Sequence, residues 1–219
     1  MRQFSEACHR RLYDYCQGGQ SAKQLLDPFV ILGGVFAVAG SPDIPLPQVW
    51  LPWIFQPEVD LSEVSDIDGI SETAMQCMQW QLRQMRNNQV SLLSQLTMPK
   101  LDDKQAPLSL WMQGLLLNHA RLEPIWQAAW QVMEAQQAAP LPALQKNLRH
   151  CLTMFSTFAD IPFALQQAER KGNRQLGGSL AKIYLSLPEA LRLYVSTAGS
   201  LVDYLPDQFE SYMQQLSTS

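Results

Sequence analysis

The feature that most constrains this chain is a segment that is apolar on every side. Asp27-Pro28 reads as an N-cap followed by proline at the first helical position, and Phe29 to Ala39 (FVILGGVFAVA) then offers no polar face. A helix of that kind belongs at the centre of a fold, covered all round. Gly33-Gly34 inside it lowers helix propensity, so the pair predicts a neighbouring helix close enough for a Cβ to clash. The run is too short to cross a bilayer, and the N-terminal MRQFSEACHRRLYDYC lacks the apolar core of a signal peptide. The expectation is therefore a cytoplasmic protein without a membrane segment.

Other segments repeat at helical spacing. Phe4, Cys8, Leu12 and Tyr15 share a face that Gly18-Gly19 ends. Met75, Met78, Leu82, Met85, Gln89, Leu92 and Leu96 alternate three and four apart, which predicts a long central helix over 71–96. Its seam serves either a packed core, with Gln89 meeting a polar partner, or a second copy of the chain. Further helices are expected from Leu108 to Leu122, from Pro124 through Met133, from about Pro142 to Phe158, onward from Pro162 toward Arg170, and from Pro188 through Val202, with a short last one after Pro206. Strand alternation with hairpin turns is missing.

The fold class is thus all-α, a multi-helix bundle with Pro-rich connectors. With 219 residues and 47% hydrophobic side chains, residues 1–219 can bury one substantial core. The breaker MPKLDDKQAP, at 98–107, marks where two packed lobes would divide.

Charge narrows the partners. A net charge of −4 argues against nucleic acid, whose phosphates are bound by clustered Lys and Arg. Residues 57–70 carry acids without a base and read as a solvated loop that places negative charge near the next helix N-terminus.

Two passages carry a family resemblance. LLDPFVILGGVFAVAGSPDIPLPQVWLPWIF and PLSLWMQGLLLNHARLEPIWQ, an apolar Gly-containing helix leading to Pro-x-x-Trp-Leu and a helix with Trp-x-x-Gly, resemble the signatures of the YgfB/YecA-like bacterial proteins, and LPEALRLYVSTAGSLVDYL resembles their late helix. The resemblance implies an all-α fold and, by analogy with some members, a regulatory interaction partner. The Cys-rich zinc-binding tail of longer YecA-type members has no counterpart in SYMQQLSTS, so zinc is not carried over.

Chemistry is sparse in the residues themselves. Cys8, Cys16, Cys77 and Cys151 form no CxxC pair and read as reduced, mostly buried thiols. His9, His119 and His150 lack metal-ligand spacing; Cys8-His9 and His150-Cys151 are adjacent, and adjacent helical residues diverge by about 100°. Neither a metal site nor a cofactor is expected, and GxSxG and phosphate-loop patterns are missing. His119 reads as a hydrogen-bonded core histidine. Arg170, Lys171, Arg174 and Lys182 are the basic concentration, a solvated turn or, at Arg170, Lys171 and Arg174, an anion site. Trp50, Trp111, Trp126 and Trp130 read as core, whereas Trp53 and Phe55, wedged between prolines, are the candidate partner-binding patch. The leading expectation is a non-enzymatic module that binds another protein. The alternative is a small-molecule or anion binder, an enzyme included, with a pocket between helices near Arg170 to Arg174.

Overall fold

The structure, a computed structural model, describes residues 6–136, 139–202 and 204–205. Phe4 and the short helix expected after Pro206 lie outside the described residues. Within them are ten α-helices: α1 (Ala7–Gln17), α2 (Ser21–Gln24), α3 (Pro28–Ala39), α4 (Pro47–Trp50), α5 (Ile67–Arg86), α6 (Pro107–Arg121), α7 (Glu123–Ala135), α8 (Leu141–Ala159), α9 (Ile161–Arg170) and α10 (Leu176–Val202). The all-α bundle is as the sequence predicts. No helix among the described residues is long and apolar enough to cross a membrane.

The apolar segment is the centre. Asp27 caps α3 by accepting a 2.8 Å hydrogen bond from Phe29 N–H, Pro28 opens the helix, and nearly every residue of it is buried. The close approach expected at its glycines is made by α6. A Cβ on Gly33 would overlap the carbonyl oxygen of Trp111 and lie 2.8 Å from its carbon, and a Cβ on Gly114 would overlap the Val30 carbonyl in the same way. The two helices therefore meet backbone to backbone, through the passages that carry the family resemblance. One contiguous cluster of buried apolar side chains runs from Leu12 to Leu201 and draws on both sides of 98–107.

The long helix near 71–96 needs correcting. Helix α5 begins at Ile67, capped by Asp66, and stops at Arg86. Asn88 takes a left-handed conformation (φ 55°), with Gln89 N–H donating to Gln84 O and Asn88 N–H to Met85 O, a helix-ending pattern usually built on glycine. Gln89 is exposed, and Leu96, though buried, lies in irregular chain. The buried face of α5 is Ile70, Thr73, Ala74, Cys77 and Met78, while Leu82 and Met85 are half-buried.

The longest helix is instead α10, which passes through Pro188 rather than starting there. Proline inside a helix costs about 3 kcal/mol. Leu187, Leu191, Tyr194 and Ala198 are all buried around it, and their burial on both sides of the proline offsets that cost.

Candidate functional site

The Pro-rich connector holds the first candidate. Phe55 is buried at 6% exposure, so its half of the partner-binding patch is overturned. Its backbone pairs with Leu25 in an isolated bridge, flanked by Leu26 N–H to Ile54 O and Gln56 N–H to Gln24 O, which turns the ring into the core. Trp53 is half-buried, and the Arg121 guanidinium lies over its ring at 5.4 Å, itself donating to Asn118 Oδ1. The connector's exposed apolar side chains are Leu46 and Val49.

The basic group stands on an exposed turn. Arg170, Lys171 and Arg174 are exposed around the turn between α9 and α10, where Gly172 has a left-handed conformation (φ 81°). The carbonyl end of α9 disfavours an anion there, whereas the N-terminal end of α10, just after Arg174, favours one.

A concavity lies between helices α6, α7 and α8. It is an open groove of about 720 Å³. Leu116, His119 and Ala120 of α6 form one side. From α7 come Glu123, Trp126, Gln127 and Trp130, and from α8 Gln145, Leu148, Arg149, Leu152, Thr153 and Ser156, each set three and four apart so that one stripe of each helix faces the groove. Trp126, Trp130 and Leu148 are buried and supply the floor; Glu123, Gln127, Gln145 and Arg149 are exposed and supply polar edges.

His119 sits at the floor with its Nδ1 3.0 Å from the Tyr194 hydroxyl, edge-on to Trp126 and Tyr194. Burial lowers the His119 pKa to about 4 and pushes the wholly buried Tyr194 phenol well above its ordinary value. The pair is held as a neutral hydrogen bond near pH 7, which suits a core histidine rather than a base poised for proton transfer. The Trp126 Nε1–H is buried and meets no acceptor in hydrogen-bond geometry, although it faces the Tyr194 oxygen closely enough to oppose the effect of burial there.

A second constellation stands at the packing of α1 on α5. The ligand atoms of Cys8, His9 and Cys77 lie within 4.8 Å of one another, so adjacency along α1 does not keep Cys8 and His9 apart as their angular divergence predicts. Cys77 approaches both from α5, and the length of the imidazole side chain makes up for the turn of the helix. A hydrogen bond with Cys77 brings the Cys8 thiol down to about 7, and burial brings His9 down to about 4. All four cysteines are free.

No family model, curated protein or solved structure matches this chain. Its residues are therefore read on their own geometry. Trp50, Trp111, Trp126 and Trp130 are core, as the sequence predicts. The groove carried no sequence signal because its wall residues follow the same spacing as any core stripe. The Cys8–His9 pair was visible, but Cys77, far along the chain, was not tied to it.

Proposed function

We propose that this chain is a non-enzymatic intracellular module that binds another protein, and that the groove between α6, α7 and α8 receives an amphipathic helix of that partner. The observation that carries the reading is the groove's form. Its α8 stripe, from Gln145 to Ser156, extends about 17 Å at 1.5 Å per residue, the length of three helical turns. An apolar floor of tryptophan and leucine between polar edges matches the helix-in-groove mode of recognition. Tryptophan is also among the residues that dominate binding energy. The resemblance to the YgfB/YecA-like proteins supports the same reading, with residues 1–219 acting as one unit.

A second reading, a small-molecule ligand, is favoured by the polar side chains of His119, Glu123 and Arg149 that line the groove and by a volume within the roughly 300–1,000 Å³ of such sites.

Capture from lysate by five forms of the protein tests the proposal. Ala120→Arg and Thr153→Arg fill the groove from exposed positions, whereas Leu185→Arg alters a side chain 77% exposed elsewhere. A partner retained by wild type and Leu185→Arg and lost by both groove variants is expected. A partner that ignores the groove variants and is lost with Trp53→Ala moves the interface to the connector. Loss of a small-molecule thermal shift in the groove variants, without loss of any captured protein, favours the second reading.

A further inference from the structure

The cluster at α1 and α5 has no part in the groove, and its donor set is specific. Two sulfurs and one imidazole nitrogen lie within 4.8 Å of one another, His9 and Cys77 buried at 2% and 1% and Cys8 half-buried, so access comes from the Cys8 side. The His9 ring packs edge-on against Trp80, with centroids 4.6 Å apart and planes at 76°, a contact that restricts the orientation of the imidazole.

We propose that Cys8, His9 and Cys77 form a binding site for a thiophilic divalent metal ion, with zinc(II) the best fit.

Zinc bonds of about 2.3 Å to sulfur and 2.0–2.1 Å to nitrogen place tetrahedral ligand atoms about 3.5–3.8 Å apart. The observed cluster needs to contract by no more than about 1.3 Å, within the reach of side-chain rotation about Cα–Cβ bonds. Charge selects the ion further. Two thiolates and a neutral imidazole cancel a doubly charged cation, leaving a buried site with no net charge, whereas a singly charged copper ion would leave one negative charge in the core. Hard ions such as magnesium and calcium take oxygen ligands and are disfavoured by this set. On binding, each thiol passes its proton to solvent, two protons per ion, and the sulfur lone pairs form the two metal bonds. The fourth position lies toward the open side at Cys8, where a water completes the tetrahedron. Three protein ligands with one exchangeable position distinguish this arrangement from a closed structural zinc site.

The test uses the full chain without an affinity tag, stripped by chelation, kept reduced with a phosphine and titrated with cobalt(II). A near-ultraviolet thiolate-to-cobalt charge-transfer band with intense visible bands is expected, saturating at one ion per chain and erased by zinc(II). Cys8→Ser, His9→Gln and Cys77→Ala should each weaken binding by more than the roughly 10–100-fold that loss of a merely supporting group costs. His150→Gln, at an exposed histidine, should leave it unchanged. Cys8 is half-buried, so its serine variant remains decisive if the Cys77 variant fails to fold. A folded wild type without the charge-transfer band, or a band that persists undiminished in Cys8→Ser, overturns the site.

Discussion

Helix α6 has two sides that solve opposite problems. Toward α3 it presents Gly114 and the Trp111 backbone, so closely that a single Cβ cannot be added. Toward α7 and α8 it presents Leu116, His119 and Ala120 to an open groove. About two and a half turns of helix, from Trp111 to Ala120, thus join a backbone-to-backbone contact to a concave surface that solvent reaches. The closed side resists any change in volume because backbone cannot rotate away. The open side accepts new side chains because water is all they displace.

The largest effect should come from the closed side. Gly114→Val drives a branched side chain into the Val30 carbonyl, and since overpacking costs about 1–3 kcal/mol where neighbours can yield, more than 3 kcal/mol is expected where they cannot. For a domain of this size that is a fall of about 6–12 °C or more in melting temperature. A valine variant melting with wild type would show that α3 and α6 part easily.

Next comes acid. His119 and His9 both have pKa values lowered to about 4 by burial, so the folded state binds fewer protons than the unfolded chain between about pH 4 and 6.5. Their contribution to stability is complete above the unfolded value and is lost as pH falls through this window. For His119 the loss is on the order of 3 kcal/mol, read as a shallower decline of melting temperature with pH in His119→Phe than in wild type. Parallel declines would mean that the groove floor is already wet.

Gly34→Ala should cost less than Gly33→Ala. The new methyl at Gly34 meets the Asn118 amide, a side chain that can move, and the loss is about 1 kcal/mol from Asn118 leaving its bonds to Gly114 O and Arg121. Chemical denaturation of both variants gives the order, and a reversed order breaks the backbone-contact argument. The smallest effect belongs to the open side: Ala120→Arg and Thr153→Arg should shift folding by no more than about 0.5 kcal/mol, as equilibrium unfolding would show.

The closed side was legible in the sequence, because an all-apolar helix with paired glycines has few places to go. The Asp27-Pro28 start and the break between α6 and α7 follow from local rules that need no tertiary information. The end of α5 was hidden. Asn88 does there what glycine does at Gly172, and hydrophobic spacing that continues to Leu96 masks it. Pro188 misled in the other direction, since packing on both flanks outweighs the hydrogen bond it removes. Phe55 was misplaced because the bridge to Leu25 joins segments far apart in the chain. The groove and the Cys8, His9 and Cys77 cluster share that difficulty: each exists only once distant helices have met.

Burial of α3 also sets an order of events during synthesis. Its cover, α6, ends at Arg121, roughly 80 residues after Ala39. At about 5–20 residues per second the ribosome needs on the order of 4–16 s to deliver that cover. For those seconds the nascent chain carries a sticky segment with its eventual neighbour still unmade, and holdase chaperones have that interval in which to bind it.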